Sequence, residues 1–119
     1  MKTEHVVAKV DELPVGTHKV VEAGGRQVGI FNVGGSYYAL PNVCFHQNGP
    51  LCRGRVHGTW IASEKSDFHW EWAFEGEIVI CPWHSLEFHI PTGRCLAHPE
   101  RKLPVYEVRV DGDELKVLL

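Results

Sequence analysis

The sequence predicts an all-β protein. Short runs rich in Val, Ile and Tyr recur along the chain, the breaks between them carry Gly, Pro or Asp, and no long window shows a helical period. The first run is Val6 to Val10, ended by Pro14-Val15-Gly16. His18 to Ala23 and Gln27 to Val33 follow, joined across Gly24-Gly25, where two residues that reach positive φ without a Cβ clash suit a tight hairpin. Gly34-Gly35 repeats that device before Tyr37 to Leu40. After a long interval come Glu77 to Ile80, Val105 to Val110 and Leu115 to Leu118, the last two separated by Asp111-Gly112-Asp113. No internal repeat or low-complexity tract interrupts the pattern.

A length of 119 residues with 44% hydrophobic content is sufficient for one domain with its own core, so residues 1–119 are expected to form a single domain. Twelve Lys and Arg against 15 Asp and Glu give a formal charge of −3, which suggests neither nucleic acid nor an anionic membrane as a partner. The opening stretch lacks the apolar run of an export signal, and nowhere do about 18 apolar residues occur in succession. A cytoplasmic, unanchored protein is the expectation. In that setting four cysteines point to metal or redox chemistry rather than to a disulfide framework.

The middle of the chain differs in character. Roughly Asn42 to Pro99 holds all four cysteines, six of the eight histidines and every tryptophan, and reads as a cluster-binding subdomain. Within it, about Gly54 to Gly76 has a polar turn near Ser63 to Asp67 between strand-like flanks, as an extra hairpin would. Trp70 and Trp72 alternate with His69 and Glu71 and so share one side of a strand. That side reads equally as a cover over core and as a patch for a partner.

Two short motifs carry the chemistry: Cys44-Phe45-His46 and Cys81-Pro82-Trp83-His84. A thiolate and an imidazole one or two residues apart on a tight turn reach one metal site together, and the second pair arrives from another loop. A Cys2His2 set suits tetrahedral zinc or an iron–sulfur cluster with two Cys on one iron and two His on the other. Zinc fingers usually pair Cys with Cys and His with His, so the mixed pairing favours the cluster.

Through these motifs the chain resembles the Rieske ferredoxins over almost its whole length. Beyond the two ligand motifs, the matches include Asp11-Glu12-Leu13-Pro14 with Gly16, Phe31 to Leu40 leading into the first ligand loop, and Gly49-Pro50-Leu51 closing it. Phe88, Thr92-Gly93, Pro99, Leu103, Tyr106 and Val108 continue the likeness. The resemblance implies three stacked antiparallel sheets, with one [2Fe–2S] cluster at a tip between two loops. Cys44 and Cys81 would hold the buried iron through sulfur, and His46 and His84 the outer iron through a ring nitrogen. It also implies a one-electron carrier, not an enzyme in itself, passing electrons from a reductase to a terminal oxygenase or similar redox enzyme. A mononuclear iron site with its substrate domain would not fit in this length.

The chain departs from the family pattern in two places and resembles the high-potential members less. The segment after Leu51 lengthens the gap between the ligand motifs. Ser85 stands where many of these ferredoxins carry Gly. Trp83, Leu86 and Phe88 replace the cysteine, Ser and Tyr that high-potential members carry around the second loop. Without those hydroxyls the sulfurs keep more electron density, so the midpoint potential is expected near the low end of a range of roughly −150 to +300 mV.

Cys52 and Cys95 are expected to pack as small buried residues, with a disulfide as the alternative. His57, His69, His89 and His98 read as ordinary hydrogen-bonded or surface histidines, and His5 and His18 as remote from the loops. Two other functions stand beside the electron carrier. One is the small subunit of a nitrite reductase, which shares the fold but often lacks the full ligand set. The other is a zinc-stabilised interaction module using the Trp-rich insert.

Overall fold

The computed structural model describes residues 3–43, 50–62, 70–82, 86–98 and 100–119. Its strands are β1 (Glu4–Lys9), β2 (His18–Ala23), β3 (Arg26–Val33), β4 (Ser36–Pro41), β5 (Val56–Ala62), β6 (Trp70–Ile80), β7 (Glu87–His89), β8 (Val108–Asp111) and β9 (Glu114–Leu118). One-turn 3-10 helices cover Val10–Glu12 and Leu51–Arg53. The strands form three antiparallel three-stranded sheets with orders β1-β9-β8, β2-β3-β4 and β5-β6-β7.

The β2-β3-β4 sheet is the middle layer, and the side-chain period of two explains why. Phe31 and Leu40 pack with Leu51, Val79 and Phe88 on one face, toward the β5-β6-β7 sheet. Ile30 and Ala39, one residue earlier on each strand, pack with Ala8, Leu115 and Val117 on the other, toward the β1-β9-β8 sheet. β3 is therefore buried on both faces, which accounts for its unbroken Val28 to Phe31 run. Its polar member, Asn32, is satisfied inside: its amide donates to the Leu13 carbonyl at 2.8 Å and its oxygen accepts from the Gly35 N–H at 3.0 Å.

The predicted glycine hairpins form as expected. Ala23 pairs with Arg26 across Gly24 and Gly25, both at positive φ, and Val33 pairs with Ser36 across Gly34 and Gly35 in the same way. The run expected over Val105 to Val110 is a strand only from Val108. Pro104 has no N–H for a ladder, and Tyr106 instead bridges to the middle sheet, its N–H donating to the Ala39 carbonyl at 2.8 Å.

Over the segment read as an insert, β5 pairs antiparallel with β6, and β6 continues without interruption for 11 residues to Ile80, directly before Cys81. Val56 and His57 pair with Val79 and Ile78 near Cys81, and Thr59 to Ala62 pair with Ala73 to Trp70 further out. Between these two halves Gly58 faces a bulge of residues Phe74, Glu75, Gly76 and Glu77, in which Phe74 and Gly76 take positive φ. No helix of the described residues is long and apolar enough to cross a membrane.

Candidate metal centre

Of the four predicted ligands, Cys81 lies in the described residues, while Cys44, His46 and His84 fall outside them. Among the described residues no group of three or more His, Cys, Asp or Glu side chains is placed to hold a metal. Cys81 follows directly on β6 and is fully buried, packed with Phe88, Ile90 and Cys95. Its N–H donates to the Leu86 carbonyl at 2.9 Å, one step beyond the Ile80–Glu87 rung of the β6–β7 ladder. The Cys-Pro-Trp-His segment is thus the connection between two neighbouring strands.

Beside Cys81 opens a cavity of about 330 Å³, lined by Arg53, Gly54, Arg55, Ile80, Cys81 and Pro82. Gly54 makes this contact feasible. A Cβ there would fall 1.6 Å from the Ile80 carbonyl oxygen, so any other residue would push the exit of the first loop off the strand that delivers Cys81. A buried thiol bordering a cavity, where a glycine lets the exit of the first loop approach β6 closely, fits a thiolate-bound metal group. A buried thiolate needs a cation to offset its desolvation.

The residues that flank the first predicted ligand motif are tied to one another. Asn42, 5% exposed, accepts the Cys52 N–H on Oδ1 at 2.8 Å and donates from Nδ2 to Gln27 Oε1 at 3.1 Å. The Cys52 thiol rests against the Leu40 and Pro41 carbonyls at 3.6 and 3.5 Å, and burial pushes it up to about 12. Cys52 and Cys95 are fully buried free thiols, so both pack as expected and neither is in a disulfide.

The remaining histidines divide. His89 is bound to Glu77 Oε1 at 2.8 Å and to Thr92 Oγ1 at 2.9 Å, and exposed His98 faces Glu100 at 3.8 Å. His57 stacks on Trp72 with ring centroids 5.8 Å apart, and Trp72, 45% exposed, does not cover core. His69 lies outside the described residues.

His18 is the correction. Expected to be remote from the loops, it stacks on Phe31 at 5.1 Å and lies close to the backbone of Gly54 and Cys52. Burial holds it below the usual histidine range, against the opposing pull of that backbone. Neither Asn42 nor His18 sits in a metal-ligand motif, and each acts through a contact distant in sequence.

Comparison with known proteins agrees with this geometry. The model of the Rieske [2Fe-2S] domain matches residues 3–107. The biphenyl dioxygenase ferredoxin subunit of Pseudomonas sp. (strain KKS102) is 30% identical over 109 residues, 91% of this chain and 84% of that protein. The solved ferredoxin of carbazole 1,9a-dioxygenase from Nocardioides aromaticivorans IC177 is 28% identical with a TM-score of 0.74, over 97% of this chain and 96% of its own. A structure described as the small subunit of an NADH-dependent nitrite reductase from Mycobacterium tuberculosis matches with a TM-score of 0.74 over 100% of this chain and 96% of its own. At 24% identity that likeness concerns the fold alone. The chain belongs to the Rieske [2Fe-2S] domain family, as an electron-transfer component whose cofactor is a Rieske-type [2Fe–2S] cluster.

Proposed function

We propose that Cys44, His46, Cys81 and His84 hold the cluster, and that the chain takes single electrons from a reductase and hands them to a terminal oxygenase in the cytoplasm, with no substrate reaction of its own. The observation that carries the ligand reading is the buried thiol of Cys81 bordering the cavity where the exit of the first loop meets the second. The sharing of the middle sheet between two cores supports reading residues 1–119 as one domain. The oxygenase acceptor rests on the relatives, which are ferredoxin components of dioxygenase systems.

The cluster, when bound, accepts and releases one electron at a time. The chain's own residues set the conditions. Burial of Cys81 keeps water from its inner side, and two neutral imidazoles would place less negative charge on the metals than two further thiolates. Val43 and Pro82, each beside a proposed Cys ligand, are exposed, as are Arg53 and Arg55 at the cavity, giving a partner a mixed apolar and basic rim. Phe88 is buried and has no hydroxyl to offer sulfur, in keeping with a potential near roughly −150 mV.

The test is EPR of the dithionite-reduced protein with iron and zinc analysis. The expected result is a rhombic signal of a His-ligated [2Fe–2S] cluster, lost in His46→Ala and His84→Ala. Stoichiometric zinc without a signal, in anaerobically prepared protein, would replace the carrier with the zinc-stabilised module. A midpoint above roughly +100 mV would contradict the low-potential assignment.

A further inference from the structure

We infer that Asn42 is a positioning residue for the cluster: its side chain closes the base of the segment carrying Cys44 and His46, and thereby sets how tightly the cluster is held. This rests on the ligand reading above.

The amide is used on every side that the fold offers. Its oxygen takes the Cys52 N–H at 2.8 Å, and its nitrogen gives a hydrogen bond to Gln27 Oε1 at 3.1 Å. Its backbone N–H donates to the Gln27 carbonyl at 3.0 Å. The Cys52 donor fixes which end of the amide is oxygen. Asn42 thus joins three things: the end of β4, the start of β3 and the 3-10 turn at Leu51–Arg53. The ligand segment leaves the chain just after the first and returns just before the last.

The partner end is equally constrained. A Cβ on Gly29 would lie 2.4 Å from the Cys52 Sγ, so Cys52 is seated against the middle sheet with no slack. The Cys52 thiol bonds hold it from the other side, to the carbonyls of Leu40 and Pro41. Closing a loop costs entropy, and here the closure is made by protein groups alone. Cys44 and His46 would then start near their bound arrangement, and less of the metal-binding free energy would go into ordering the chain.

Removing the amide leaves the buried Cys52 N–H without an acceptor and passes the closure to the ligands. An Asp at 42 would still accept that N–H, and Gln27 can turn its amide to donate. It would also put a carboxylate two residues from a thiolate ligand, where negative charge disfavours the reduced, more negative cluster. Closure and charge are therefore separable by two substitutions.

The test compares cluster-loaded wild type, Asn42→Ala and Asn42→Asp. Iron release to a chelator is followed alongside far-UV circular dichroism, and the midpoint potential is taken by redox titration. Asn42→Ala is expected to release iron about tenfold faster while the β-sheet signal is unchanged, the size expected from one orphaned buried donor. Asn42→Asp is expected to release iron close to the wild-type rate and to titrate at a lower potential. The inference is overturned if Asn42→Ala keeps its cluster as long as wild type, if it loses iron only as the sheet signal is lost, or if Asn42→Asp releases as fast as Asn42→Ala. Should Asn42→Ala fail to fold, Asn42→Asp decides through its release rate, because it keeps the acceptor for the Cys52 N–H, and release far faster than wild type overturns the inference. A wild type without a His-ligated [2Fe–2S] signal would instead remove the ligand reading beneath it.

Discussion

Residues 42–52 and residues 81–86 each span a proposed ligand motif, yet different groups close them. The second is closed by backbone: Cys81 N–H to the Leu86 carbonyl at 2.9 Å, continuing the β6–β7 ladder. The first is closed by a side chain, Asn42, reaching the Cys52 N–H at 2.8 Å. A backbone closure survives almost any change of residue that keeps the strands paired. A side-chain closure resides in one amide and disappears with it. The contrast teaches that two loops proposed to serve one metal centre need not be equally tolerant of substitution, even where their motifs look alike.

The largest effect expected separates ligand from packing. Cys81→Ser should abolish the visible absorption and EPR signal of the cluster, while Cys52→Ala, on the other loop's base, should keep both. Reversal of that order would make the buried thiol of the first loop the ligand. Next comes the apolar support of the second loop. Phe88→Ala opens a void in the core around Cys81 and should cost about 3–5 kcal/mol in urea unfolding. A loss far below that would mean the backbone closure holds the loop without its core.

Gly54→Ala strikes where the two bases meet, because its Cβ would collide with the Ile80 carbonyl. A destabilisation of about 3 kcal/mol is expected by the same measurement, and a neutral substitution would show that the loops are not in forced contact.

The smallest effect concerns pH and the first loop alone. His18 is held below its ordinary value of 6.5, so the folded state takes up its proton less readily than the unfolded chain does. Stability is fully present above that value, falls as pH drops through it and levels off below the lowered folded value. His18→Gln should flatten this part of the stability–pH curve, and an unchanged curve would place the titration elsewhere.

The parts of the molecule legible in the sequence are those that depend on local chemistry. Gly24-Gly25 and Gly34-Gly35 announce hairpins because positive φ is a property of the residue itself. Cys81-Pro82-Trp83-His84, read with Cys44-Phe45-His46, announces the family, because thiolate and imidazole have few other reasons to be so paired, and the Rieske domain model matches residues 3–107. β7 was not legible: three residues, Glu87 to His89, are too few to show alternation. The end of the strand expected from Val105 was misplaced because Tyr106 turns to a partner 67 positions earlier, Ala39, which no local pattern records. Asn42 and His18 stayed hidden for the same reason. Each is defined by the residue across from it, Cys52 or Phe31, and an isolated Asn or His is otherwise uninformative.

The bulge at Phe74 to Glu77 has a further consequence for how this chain tolerates changes in length. In a continuous ladder, an odd insertion in the outer hairpin would rotate every later side chain to the opposite face, Cys81 included. Here the surplus residues are gathered opposite Gly58, and pairing resumes at His57–Ile78 in the register that delivers the thiol inward. The bulge behaves as a splice. Residues can be added or trimmed on its outer side while the phase of the inner rungs is kept.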